Sequence, residues 1–181
     1  MTGPVLHLSA TPYPSPQGTQ ALIREMLEAS HAQGGQHELF SYAHGDDGPR
    51  GSFPLHRLEG GPRVVSLRSG PSLEKALLDL RMVQATRRLA RRLGARALVA
   101  HNVEAALIGR ASGVRPLIYL AHTSFADELP SYASPRLRLP LSLAGKAMDA
   151  LATGRATRVV TVAPALTRRL RALRPDVETL L

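Results

Sequence analysis

Residues 96–123, RALVAHNVEAALIGRASGVRPLIYLAHT, decide the fold. RALVAHN (96–102) is a short apolar run and predicts a strand. VEAALIGRASG (103–113) predicts a helix that Gly113 ends. RPLIYLAHT (115–123) predicts a second strand. Strand, helix and strand follow one another with almost no linker. That is the pattern of one unit of a parallel sheet.

The pattern extends in both directions. On the N-terminal side, PVLHLSA (4–10) predicts a buried strand. QALIREMLEASHAQ predicts a helix, with Leu22 and Met26, and Ile23 and Leu27, recurring at four residues. Thr19 is its expected N-cap and Gly34-Gly35 its stop. HELFSYA (37–43) predicts a strand, HGDDGPRGS a loop, and FPLHRL (53–58) a weaker third strand. A long helix is expected to start at Pro71, whose fixed φ suits a first turn. Its buried stripe is expected at Leu73, Leu77 and Leu80, then Leu89 and Leu93. On the C-terminal side, SFADELPSYASPRLRLP reads as irregular and LSLAGKAMDALATGRA (141–156) as a helix, with Leu143, Ala147 and Leu151 at four-residue spacing. TRVVTVA (157–163) predicts a strand, PALTRRLRALR (164–174) a helix, and PDVETLL the start of another strand. Strands thus alternate with helices about six times. The expectation is an α/β, Rossmann-like three-layer sandwich with a mostly parallel sheet and helices on both faces.

Composition narrows the possibilities. A chain of 181 residues suggests one domain, and a 44% apolar share is enough for a core. No apolar run is long enough for a transmembrane helix, and the N-terminus lacks a basic, apolar leader. A cytoplasmic protein is expected. There is no cysteine, which excludes disulfides and thiolate chemistry. The net charge is +9, almost all of it arginine, since only Lys75 and Lys146 are lysines. A basic surface suits anionic lipid or nucleic acid, or reflects an arginine-rich composition alone. The chain has three Phe, four Tyr and no Trp, so stacking platforms for bases are scarce. Nucleic acid is therefore not the expected partner. RRLARRLGAR (87–96) reads as a solvated helix face.

In an open α/β sheet, ligands bind beyond the carboxyl ends of the strands, near the switch in strand order. Three such ends carry unusual residues: the PYPSPQGTQ loop, His101-Asn102, and His122-Thr123. The Gly18 loop is either a plain connection or a loop that offers backbone N–H groups and a helix N-terminus to an anion. It is neither a GxGxxG nor a Walker sequence. Glu128 is a candidate acid or base, or a local turn cap before Pro130. His101 and His122, with Asp127 or Glu128, have metal-type donors, but no recognised ligand spacing supports a metal. The seven histidines are scattered along the chain.

Read in order, these segments resemble the N-terminal domain of family-4 glycosyltransferases, retaining enzymes of the GT-B fold with two Rossmann-like domains. YPSPQGTQ is similar to the family's Pro-Gly-Gly loop, and HAQGGQHEL to its Gly-His-Glu turn. LVAHNVEAALIG resembles its strand-end His segment, and LIYLAHTSFADELPSY the strand that follows. AMDALATGRATRVVTVAPALTRRL resembles its helix–strand–helix close. The resemblance implies a nucleotide-sugar donor as co-substrate, an acceptor hydroxyl, and no other cofactor. It places His101 near the reacting centre and Gly18 and Thr19 near the donor. Asn102, His122 and Glu128 join them as donor- or acceptor-binding candidates. Gln17 departs from the family, which often has a second glycine there. The family's Glu-x7-Glu pair, which belongs to its second domain, has no counterpart in this chain. The resemblance therefore implies an acceptor-side domain over 1–175 and the start of a linker over 176–181. A second domain would be supplied in cis or in trans, and peripheral contact with the inner membrane surface is a further expectation.

Overall fold

The computed structural model describes residues 3–43, 45, 48–60 and 73–180. The strands are β1 (Val5–Ser9), β2 (His37–Ser41), β3 (Leu55–Arg57), β4 (Ala97–His101), β5 (Leu117–Ala121), β6 (Arg158–Thr161) and β7 (Glu178–Thr179). The helices are α1 (Gly18–Ala32), α2 (Leu73–Leu93), α3 (Asn102–Ser112), α4 (Phe125–Ser131), α5 (Arg138–Gly154) and α6 (Pro164–Arg171). The strands form one seven-stranded sheet in the order β3-β2-β1-β4-β5-β6-β7. Every pair is parallel. The order reverses between β1 and β4, so the crevice of this doubly wound sheet opens beyond Ser9 and His101, which are register partners.

Alternate residues of each strand serve opposite faces. Leu6, Leu8, Leu98, Ala100, Leu117 and Tyr119 join the main core with Leu78 and Met82 of α2, Val103 and Ala106 of α3, and Leu170 of α6. The other face is thinner. Val5, Ala97, Val99 and Leu120 pack there with Met26 of α1, while Ile23 and Leu27 of α1 meet Tyr13, Leu39 and Phe53.

Two helices face the core differently from their leucine spacing. In α2 the buried side is Leu78, Met82, Thr86, Leu89 and Ala90, whereas Leu73 and Leu80 are 86% and 68% exposed. The Leu73–Leu77–Leu80 stripe runs on into Gln84 and Arg87, while the Leu78–Met82 stripe continues through Thr86 to Leu89 and Leu93 without a charged residue. Persistence over the whole helix decides which stripe is buried. The expected start at Pro71 lies outside the described residues. In α5 the buried residues are Gly145, Asp149, Ala152 and Thr153, and Leu143 and Leu151 point outward. The cause is close packing on α4, which lies in the segment read as irregular. A Cβ at Gly145 would fall 2.2 Å from the Phe125 carbonyl oxygen. Asp149 then accepts bonds from Ser124 Oγ (2.6 Å), the Phe125 N–H (3.0 Å) and the Ala126 N–H (3.2 Å). The two N–H groups are orphan donors of the first turn of α4. The 176–181 stretch contributes β7, which pairs with β6.

Candidate functional site

The loop between β1 and α1 is held by its own residues. Tyr13 is buried, and its hydroxyl donates to the Arg50 carbonyl at 3.1 Å. Gln20 donates from Nε2 to the Pro12 carbonyl at 3.3 Å. Thr19 is the second residue of α1, not its cap; the N-cap is Gln17, in extended conformation and without a side-chain cap bond. The helix therefore starts at Gly18, two residues earlier than a Thr19 cap implies, and among the described residues no acceptor bonds the N–H groups of Gly18 and Thr19. A Cβ at Gly18 would meet nothing within 4 Å, so the fold itself does not demand glycine there. Gln17 is exposed, and Thr19 is half-buried behind it.

Strand β4 passes into α3 with no loop. His101 is the N-cap, and Asn102 takes a left-handed φ of 72°. Asparagine tolerates that region better than most side chains. Asn102 Oδ1 is buried and has no hydrogen-bond partner, which leaves an acceptor at the crevice unsatisfied. The N-termini of α1 and α3 thus follow adjacent strands on either side of the switch point.

His101 is wholly buried. Its Nδ1 lies 3.1 Å from His122 Nε2, and its Nε2 lies 3.0 Å from His7 Nδ1. His7 Nε2 in turn lies 2.8 Å from His37 Nδ1. Burial lowers the His7 pKa to about 3, with the His37 charge adding to it. Burial lowers His122 to about 4. His101 lies well below its ordinary value, through burial first and then the charges of His7 and His122. His37 is lowered by burial, then by Arg96 and His31. At neutral pH each ring is therefore neutral, with one N–H and one lone pair.

His37 and His122, at the two ends of the row, are half-buried, and His122 borders a cavity. A cavity of about 480 Å³ is lined by His122, Thr123, Asp127, Glu128, Leu166 and Arg169, among others. Glu128 accepts from Thr123 Oγ1 at 2.8 Å and from the Tyr132 hydroxyl at 3.2 Å, so its carboxylate is oriented by its neighbours. Asp127 pairs with Arg169 across the cavity. Among the described residues, no group of three or more His, Asp or Glu is arranged to hold a metal ion.

The structure therefore brings His101, Asn102, His122 and Glu128 to the carboxyl end of the sheet, along with the Gly18–Thr19 helix start. His7 and His37 were not singled out from sequence, where the histidines look scattered. Their only signal is spacing: on paired parallel strands, each histidine lies two residues beyond the register partner of the previous one.

The sheet order and the switch-point crevice define a Rossmann-like domain of the kind found in GT-B glycosyltransferases. The chain belongs to glycosyltransferase family 4: the sequence profile Glycosyltransferase Family 4 matches residues 16–179. The fold is similar to that of sucrose-phosphate synthase from Thermosynechococcus elongatus, with a TM-score of 0.75 at 15% identity. That alignment covers 98% of this chain and 47% of the synthase, so this chain spans about half the length of that protein. A shorter sucrose-phosphate synthase chain from the same organism aligns with a TM-score of 0.64 at 16% identity, covering 97% of this chain and 86% of the other. No curated protein sequence matches. Among the described residues, no helix is long and apolar enough to cross a membrane.

Proposed function

We propose that the chain is the acceptor-side Rossmann-like domain of a retaining glycosyltransferase. The complete enzyme moves a sugar from a nucleotide-sugar donor to an acceptor hydroxyl. The observation that carries this reading is the family match over residues 16–179, on a sheet whose crevice lies where such domains bind ligands. A second Rossmann-like domain, in cis or in trans, closes the other wall of the cleft. The similarity that covers only 47% of a solved synthase supports that division. The open N–H groups at Gly18 and Thr19 stabilise the leaving diphosphate, and Asn102 Oδ1 accepts a donor or acceptor hydroxyl. His122 and Glu128 bind at the cleft, and His101 acts behind His122.

The test is transfer from a panel of radiolabelled nucleotide sugars, with the chain alone and with a second Rossmann-like domain encoded beside it. Transfer only in the combined sample supports the reading. Full turnover by the 181-residue chain alone overturns the division of labour, and no transfer in either sample overturns the activity.

One observation favours a second reading, docking at a membrane surface without catalysis. Leu137, Leu139 and Leu143 are exposed beside Arg136, Arg138 and Lys146. Apolar side chains flanked by cations suit an anionic bilayer. Sedimentation with phosphatidylserine vesicles that disappears in high salt supports this reading, and equal sedimentation with neutral vesicles counts against it.

A further inference from the structure

The four bonded imidazoles form one continuous diagonal across the sheet. His37 is the register partner of Val5, and His7 lies two residues further along β1. His7 is the partner of Val99, and His101 lies two residues further along β4. His101 is the partner of Leu120, and His122 lies two residues beyond it. Each step of two keeps the ring on the same face of the sheet. Successive ring centres along this diagonal lie 5.0, 5.2 and 5.4 Å apart, and the row runs from the amino ends of the strands toward their carboxyl ends. The inner rings, His7 and His101, are buried, while His37 and His122 are half-buried.

The contacts also share one orientation. Every ring presents Nδ1 toward the cleft and Nε2 away from it: His101 Nδ1 to His122 Nε2, His7 Nδ1 to His101 Nε2, and His37 Nδ1 to His7 Nε2. Among the described residues, nothing hydrogen-bonds the two leftover nitrogens, His122 Nδ1 and His37 Nε2. A neutral imidazole donates from one nitrogen and accepts at the other. Four neutral rings linked in this way can satisfy all three contacts only when they share one tautomer: all Nε2–H, or all Nδ1–H.

We propose that His122, His101, His7 and His37 form a directional proton relay that connects the cleft with solvent at the amino ends of the strands. In its Nε2–H state the relay takes a proton at His122 Nδ1. Each ring passes its Nε2 proton to the Nδ1 of the next, and His37 releases one from Nε2 to water. The chain ends in the Nδ1–H state and no ring keeps a charge. The reverse shift resets it, with a proton entering at His37 and leaving from His122. The pKa values of the inner rings, held far below neutrality by burial, agree with a relay that works through neutral tautomers.

The use of this relay rests on the glycosyl-transfer reading. There, the bond from the acceptor oxygen to the sugar's anomeric carbon forms as the bond to the donor phosphate breaks. The acceptor hydroxyl proton enters at His122 as another leaves His37 to water; the reset returns one proton from water through His122 to the departing diphosphate, which carries it away. In this role His7, His37 and His101 are positioning residues, because none of them needs to touch substrate.

The experiment is long-range 1H–15N correlation NMR of the full chain labelled with 15N-histidine, at neutral pH. It reports which nitrogen of each ring carries hydrogen. The expected result is one shared tautomer for His7, His37, His101 and His122. Two variants at the far, half-buried end then impose a polarity. His37→Glu only accepts, so His122 is expected as Nε2–H. His37→Lys only donates, so His122 is expected as Nδ1–H. Mixed tautomers in the unsubstituted chain overturn the relay, and so does an identical His122 tautomer in both folded variants. If neither variant folds, the unsubstituted spectrum still decides. Transferase activity plays no part in this readout, so losing the catalytic reading leaves the relay standing, and the reverse also holds.

Discussion

The two faces of the sheet are built from the same strands and solve burial differently. On the face covered by α2, α3, α5 and α6, alternate strand residues are apolar and close into a continuous core. On the face covered by α1, the alternation Val5-His7-Ser9 and Ala97-Val99-His101 places polar side chains among small apolar ones. On the first face the strands contribute mostly apolar surface, so shape dominates. The second needs every buried nitrogen to find a partner, because an unpaired buried polar group costs about 1–3 kcal/mol. The rings meet that demand with one another, which ties together strands far apart in sequence. The first face carries stability, and the second is the one on which the proposed relay lies.

The largest expected effect is on the apolar face. Leu98→Ala, at a wholly buried position, is expected to lower stability by about 2–5 kcal/mol in urea denaturation. A loss under about 1 kcal/mol would mean that this face is less tightly packed than the structure shows. Next is the buried carboxylate joining α5 to α4. Asp149→Ala strips three hydrogen bonds and leaves the Phe125 and Ala126 N–H groups buried, for an expected loss of about 3 kcal/mol. Asp149→Asn keeps an acceptor and should recover part of it.

The histidine face should show itself in acid. The folded pKa of His7 is about 3 and that of His122 about 4, below the ordinary 6.5. Between about pH 6.5 and 4, the unfolded chain binds protons that the folded rings refuse. Stability is therefore present above 6.5 and falls as pH drops, by about 1.4 kcal/mol per pH unit for each such ring. Urea midpoints at pH 7, 6 and 5 measure the slope; a flat profile would place the rings in a more solvated setting. The smallest effect is expected outside both faces. Leu139→Gln, at a 71% exposed site, should change stability by less than about 0.5 kcal/mol. The same variant should weaken sedimentation with anionic vesicles if the surface of α5 docks on them.

Much of the architecture is legible in the chain itself. Every predicted strand from Val5 to Thr161 corresponds to a strand, and parallel pairing follows from their alternation with helices. What misled was local spacing without context. Leu73, Leu77 and Leu80 have helical periodicity, but that stripe meets Gln84 and Arg87 within two turns. Leu143 and Leu151 are also helically spaced, but the close approach of α4 selects Gly145 and Asp149 instead. Periodicity shows that a helix has a face, and only the neighbour that packs on it shows which face it is.

By itself, the sequence determined the class of fold, the order of its elements and the strand ends that carry the candidate site residues, because these depend on patterns within a few turns or one strand. His101 and His122 could be picked out for that reason. Only the tertiary structure decided that His7 and His37 belong with them. Parallel register brings residues 30 and 94 positions apart into hydrogen-bond contact. That register depends on which strands become neighbours, through backbone pairing and the burial of both faces at once.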